Sequence, residues 1–252
     1  MHRFFVEPDQ VYNDHINILG QDIKHIKNVL RLKENDKIEI ACEGINYYGE
    51  ISSFEDDKVK VDIISKEEGV NEPNIDIVLY QGLAKGNRMD YIIQKGTEVG
   101  IKEFYIVDTK RTIVKIKNKK KEKSRINRLQ SIGEEAAKQT KRDYIPKVNG
   151  ILKFNDMVEL LKDEKNILVP YENEEQLSIG QVLKDIKIRK NENKRINLII
   201  GSEGGFEDKE INDLKNIGGD IFTLGNRILR TETAGVVAST IILYDLGNIG
   251  VI

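Results

Sequence analysis

Two glycine-containing strings carry the residues best suited to chemistry: Gly201-Ser202-Glu203-Gly204-Gly205-Phe206, and Leu224-Gly225-Asn226-Arg227-Ile228-Leu229-Arg230-Thr231-Glu232-Thr233-Ala234. Glycine lets the chain turn sharply and lets a ligand approach main-chain N–H and C=O groups closely. An apolar strand expected at 197–200 runs straight into the first string, which is how α/β proteins build small-molecule sites. Neither string is a phosphate cradle. The first lacks the Lys-Ser/Thr ending of a P-loop, and its glycine spacing is wrong for a dinucleotide turn. Glu203 also stands where a polyphosphate would want positive charge, so the pattern points to a neutral or cationic ligand. No metal is expected, because His2, His15 and His25 are all N-terminal and none pair at metal-like spacing.

The elements that must position these strings follow from periodicity. Up to about residue 70 the chain reads as short strands with tight turns, the signature of a small barrel. Residues 37–41 and 58–63 alternate polar with apolar side chains, and 47–51 lies between turn signals. One helical piece, 22–29, precedes them. The acidic stretch 66–73 holds one of only four prolines, so the domain boundary is expected there. Beyond it, strands at 75–80, 103–107, 166–170, 197–200 and 220–224 alternate with helices at 89–99 and 124–142, which implies βαβ units and a largely parallel sheet. The stretch 110–125 is the one strongly basic run, with Glu122 its only acid. A last helix, 232–246, is apolar round most of its circumference and must be covered on all sides. Either it is central in one subunit or a partner subunit covers it.

Composition narrows the functional classes. At 252 residues the chain can form one large domain or two smaller ones. Forty Lys+Arg against 42 Asp+Glu give a net charge of −2, so no global basic field announces nucleic-acid binding. The single cysteine, Cys42, excludes an internal disulfide framework and fits a reducing compartment. The first residues lack the apolar core of a secretory signal, and the longest apolar stretches fall short of a membrane span, so a cytoplasmic, soluble protein is expected.

The two strings resemble those of the ribosomal RNA small-subunit methyltransferase E family. Gly201–Phe206 is similar to that family's Gly-Pro-Glu-Gly-Gly-Phe loop, with Ser202 replacing the proline. Leu224–Ala234 is similar to its Leu-Gly-x-Arg-Ile-Leu-Arg-x-Glu-Thr-Ala. Lys85-Gly86-Asn87-Arg88-Met89-Asp90, Gln94–Gly100 and Glu134–Gln139 followed by Arg142 also match, as do His2–Phe5 and His25 with Val29-Leu30-Arg31. The likeness covers nearly the whole chain in the right order, and its Arg-Ile-Leu-Arg-x-Glu-Thr-Ala string is highly specific.

The resemblance implies an α/β fold of the SPOUT class: a PUA-like β-barrel over 1–70, an RNA-binding domain, then a methyltransferase domain over 74–252 with a C-terminal trefoil knot. It implies S-adenosyl-L-methionine as cofactor, held by three loops. The implied cofactor-binding residues are Val169, Pro170, Tyr171 and Glu172; Ile200, Gly201, Glu203, Gly204 and Gly205; and Leu224, Gly225, Arg227, Ile228, Leu229, Thr231 and Ala234. A β-branched side chain at Gly204 is expected to fill the ligand's space. The class works as homodimers, which would cover the last helix.

The implied reaction is methylation of uridine N3 in 16S ribosomal RNA of the small subunit. It needs two atoms held in line and a proton removed, with no metal. Arg230 and Glu232 are the implied catalytic pair, a guanidinium favouring the imide anion and a carboxylate or water taking its proton. Arg3, Arg31, Lys85, Arg88 and Arg142 are candidate RNA contacts, with the 110–125 run. Plainer readings stand beside these: turn glycines, an Arg230–Glu232 ion pair, solvated basic residues. Two rivals remain, a non-catalytic RNA-binding or ribosome-assembly factor of the same fold and an α/β enzyme with a nucleotide cofactor. The missing phosphate motif counts against the second.

Overall fold

The computed structural model describes residues 1–114, 118–188, 195–246 and 249. The chain forms two compact units, Met1–Glu72 with Ala137–Ile145, and Pro73–Ala136 with Pro146–Ile252. The first is therefore discontinuous: Ala137–Ile145, which the sequence reading gives to the second domain, packs with it instead.

In the first unit, β1 (His2–Phe5), β2 (His15–Leu19), a short α1 (Gln21–Lys24) continuing as a π-helical stretch His25–Leu30, β3 (Lys37–Cys42), β4 (Ile45–Phe54) and β5 (Lys58–Glu68) follow in turn. The strands order as β1-β3-β4-β5-β2; β1 runs parallel to β3 and the remaining pairings are antiparallel. Val59 and Val61 point into the core that Phe4, Ile16, Ile38 and Ile51 share, while Lys58 and Lys60 alternate away from it. β3 departs from alternation because Glu39 is buried too, at 3% exposure. The cause is Arg3, which stands opposite Glu39 in the β1–β3 register and pairs with it. Arg3 Nη2 also donates to Asn46 Oδ1 at 2.5 Å and Asp143 Oδ1 at 3.0 Å, and the Asn71 N–H reaches Asp143 Oδ2 at 2.7 Å. Arg142 grips Glu72 with two donors, Nε at 2.8 Å and Nη2 at 2.5 Å. Both guanidiniums are thus inside, with side-chain exposures of 1% for Arg3 and 4% for Arg142. Set against the expectation that they contact RNA, Arg3 is turned to Glu39, Asn46 and Asp143, and Arg142 to the partly buried Glu72.

The second unit runs β6 (Asp76–Gly82), α2 (Arg88–Val99), β7 (Glu103–Asp108), α3 (Lys119–Gln139), β8 (Lys147–Lys153), α4 (Phe154–Leu161), β9 (Ile167–Pro170), α5 (Ile179–Ile188), β10 (Arg195–Ile200), α6 (Asp208–Asn216), β11 (Asp220–Phe222) and α7 (Thr231–Asp245), with the final residues of α3 passing into the first unit. Its sheet is parallel throughout, in the order β11-β9-β10-β6-β7-β8. Alternate residues of the central strands feed two cores: Ile77, Leu79, Leu198 and Ile200 one, Val78, Tyr80 and Ile199 the other. A sheet covered on both faces explains why β6 and β10 read as mainly apolar runs, the buried Asn197 being a polar exception within β10. α2 stops where Gly100 takes φ +117°, its N–H returning to the carbonyls of Gly96 and Thr97.

α7 is not uniformly enclosed. Gly235, Ala238, Ser239, Ile242 and Leu243 are buried against the protomer, whereas Val236 and Val237 are half-buried and Tyr244 is 71% exposed.

Candidate active site

β11, β9 and β10 are neighbours in the sheet and point the same way, so the segments leaving their C-terminal ends emerge side by side. Those segments are Leu224–Arg230, Pro170–Glu172 and Gly201–Gly205. They lie beside β6, from which the chain builds β7 and β8 to one side while β10, β9 and β11 fill the other; a crevice at such a reversal is where open α/β sheets bind ligands. Two adjoining clefts result. One, of about 440 Å³, is lined by Tyr171, Glu174, Leu224, Gly225 and Arg227 among others, and the second, of about 320 Å³, by Ile200, Gly201, Glu203, Gly205, Thr231 and Glu232. Pro170, Glu172, Ile228, Leu229 and Ala234 line both.

Side chains from the sheet and helices lock the loops. Gln81, at the end of β6 and 1% exposed, donates from Nε2 to Thr231 Oγ1 at 2.8 Å and to the Gly82 carbonyl at 3.1 Å. The Thr231 hydroxyl in turn donates to the Gly201 carbonyl at 2.6 Å, so one hydroxyl joins the first loop to the start of α7. Arg111 Nη1 holds the Gly204 carbonyl at 3.1 Å, and Glu210 holds the N–H groups of Lys110 and Glu207, each at 2.9 Å. Gly205 has φ +67°, and a Cβ there would sit 2.5 Å from Glu172 Oε1. Gly204 is different: its φ is not left-handed, and an added Cβ would meet Arg111 Cβ at 2.9 Å. A side chain at Gly204 would thus press on Arg111, while the left-handed backbone of the loop lies at Gly205.

The site's charges form a chain of pairs. Arg88 Nη1 donates to Glu203 Oε1 at 2.8 Å and its Nε lies 3.4 Å from Glu232 Oε2, while Arg230 Nη1 is 3.9 Å from Glu232 Oε1. The Lys85 N–H also reaches Glu203 Oε1 at 2.8 Å. Burial pushes the Glu203 pKa up, but the Lys85 N–H, its own N–H and Arg88 outweigh it and hold the carboxyl below its ordinary range. Arg88 is thus committed to carboxylates, whereas Arg230 keeps a side chain 80% exposed.

Of the residues expected at the cofactor, all but Val169 and Gly204 line these clefts. Val169 is fully buried in the core, a consequence of its place inside β9. Among the expected RNA contacts, Lys85 and Arg31 are exposed, Arg31 in a left-handed turn at φ +54°. Within the basic run, 115–117 lie outside the described residues, Arg111 serves Gly204, Arg125 Nη2 donates to the Ala84 carbonyl at 3.1 Å, and Lys119–Lys121 open α3 on its exposed side. Sequence reasoning missed Gln81, and it gave no role to the Ser202 hydroxyl, which accepts from Thr109 Oγ1 at 3.3 Å. A glutamine closing an otherwise apolar strand was the available signal for the first. Among the described residues no group of three or more His, Cys, Asp or Glu is arranged to hold a metal, and no helix is long and apolar enough to cross a membrane.

Comparison with known proteins gives this geometry its setting. Residues 71–243 match an RNA methyltransferase domain and residues 18–64 an RNA methyltransferase PUA domain. The chain is 32% identical to ribosomal RNA small subunit methyltransferase E of Bacillus subtilis, covering 97% of both proteins. It is 31% identical to the enzyme of that name from Mesomycoplasma hyopneumoniae, over 97% of this chain and 100% of the relative. Among solved structures, the Neisseria gonorrhoeae ribosomal RNA small subunit methyltransferase E bound to S-adenosyl methionine superposes with a TM-score of 0.84 at 27% identity, covering 97% of each chain. With a family domain over most of its length and full-length relatives above 30% identity, this chain belongs to the ribosomal RNA small subunit methyltransferase E family.

Proposed function

We propose that the protein is an S-adenosylmethionine-dependent methyltransferase that modifies N3 of a uridine in 16S ribosomal RNA, acting in the cytoplasm as a homodimer whose two copies meet over the outer side of α7. The observation that carries the reading is the meeting of three loops around adjoining clefts, with Arg230 and Glu232 at the edge of the inner one. The donor set fits the cofactor. Apolar walls from Leu224, Ile228, Leu229 and Ala234 suit an adenine, carboxylates from Glu172 and Glu174 suit ammonium or sulfonium charge, and Gly205 leaves room where a side chain would collide with Glu172.

The bound cofactor supplies a methyl group already activated on a sulfonium. The protein's part is alignment and proton control. Arg230 stabilises negative charge developing on the uracil imide, and its planar fork suits a delocalised anion. Glu232, turned between Arg88 and Arg230, receives the N3 proton. Glu203 takes no proton; fixed by the Lys85 N–H and Arg88, it sets the shape of the first loop. The outer side of α7 supports the dimer because Val236 and Val237 are incompletely covered and Tyr244 is largely exposed. A trefoil knot in the second unit belongs to the same reading.

Calorimetry with S-adenosylmethionine and mass-spectrometric mapping of 16S RNA from cells lacking the gene test it together. Tight binding and one lost methyluridine are expected. No measurable binding would favour the assembly-factor alternative.

A further inference from the structure

Beside the cleft lined by Gly201 and Thr231 lies an open surface hollow bounded by Lys85, Gly86, Asn87, Tyr91 and Thr233, together with Arg88, Arg230 and Glu232. The last three also line the cleft next to it. Direct methyl transfer requires donor and acceptor on opposite sides of one crossing point. A wall shared by cleft and hollow, carrying one exposed guanidinium and one carboxylate, is such a point.

We propose that this hollow receives the acceptor, a single unstacked pyrimidine of the RNA strand, with the Tyr91 ring as its stacking platform; the assignment rests on the methyltransferase reading above. Uracil N3 lies on the base-pairing edge, so the reaction can only reach a base that is unpaired and turned out of its stack. An extruded base loses its neighbours and needs a replacement surface. Tyr91, in the first turn of α2, is 46% exposed. Asn87 stands at the N-cap of the same helix, a position where its side chain would ordinarily bond the helix N–H groups, yet it makes no such bond and lines the hollow instead. Its amide is placed to pair with a carbonyl oxygen of the base, and Lys85, exposed at the rim, to meet the flanking phosphate. The transfer balances within these groups: the N3–carbon bond forms as the carbon–sulfur bond breaks, the imide proton goes to Glu232, and the sulfonium leaves as a neutral thioether.

The test compares wild type, Tyr91→Ala and Tyr91→Phe as full-length proteins. Three quantities are read: S-adenosylmethionine affinity by calorimetry, kcat/KM on 16S transcript, and, without cofactor, the photo-cross-link to transcript containing 5-bromouridine. A base–aromatic stack is worth about ten- to a hundredfold in affinity. Tyr91→Ala should therefore lose about that factor in kcat/KM with cofactor affinity unchanged, and Tyr91→Phe should restore it. The wild-type cross-link should map to Tyr91. Normal kcat/KM in Tyr91→Ala, weakened cofactor binding in that variant, or a cross-link mapping outside the hollow would overturn the assignment. A wild-type protein that neither binds cofactor nor methylates the transcript would overturn the methyltransferase reading itself, and the assignment of the hollow with it.

Discussion

Gly205 is the position in the first loop where a side chain is least tolerable, because a left-handed φ and the nearby Glu172 carboxylate act together. Gly205→Val should abolish calorimetric cofactor binding while far-UV circular dichroism stays native, since a β-branched residue resists that φ. Arg230→Ala should instead lower kcat by about 10²–10³ with little loss of cofactor affinity, the range seen when one oxyanion donor is removed. Arg230→Lys should recover only part of it. Glu203 gives a pH signature. Its pKa is depressed on folding, so its contribution is present above the unfolded value of about 4.3 and is lost as pH falls through the lower folded value. Wild type should thus lose melting temperature below about pH 5 more steeply than Glu203→Gln, as differential scanning calorimetry would record. The loops were legible in the sequence because their residues are contiguous and of telling types. Which glycine is left-handed was not, since φ there depends on how the loop leaves β10. Nor was the fate of Arg3 and Arg142, whose carboxylate partners lie 36 and 70 residues away in the chain.

The elements with strong periodicity were equally legible, and those with weak signals were not. β3, β5, β6, β10 and α2 fall within a few residues of their expected bounds. β8, α4, α5 and α6 went unrecognised, although Glu207 and Glu210 form a capping box that announces α6. α3 begins at Lys119, earlier than expected, because lysines that read as a basic loop are also good helix formers. The β1–β3 pair carries a prediction of its own. Arg3→Ala would leave Glu39 and Asp143 buried without their shared cation, and breaking a buried ion pair in this way costs about 3–5 kcal/mol. Urea unfolding should show that loss. A role in RNA binding alone would leave the midpoint unmoved.

For the whole molecule, the apolar circumference of α7 divides into an inner and an outer face. Ile242 is fully buried within the protomer, so a charge there would unfold the chain rather than separate subunits. Val237 is the discriminating position. Val237→Glu should shift the light-scattering mass from that of a dimer toward 28.8 kDa while the melting transition stays cooperative. The discontinuous first unit has a consequence for the protein's birth. Residues 1–72 leave the ribosome first, but Arg3 lacks Asp143 and Glu72 lacks Arg142 until the chain has grown past Ile145. At roughly 5–20 residues per second that interval lasts several seconds. A nascent chain stalled just beyond residue 72 should be readily cleaved by protease, and one stalled far enough past Ile145 to clear the exit tunnel should resist. The unit made first is finished only after much of the second has been synthesised.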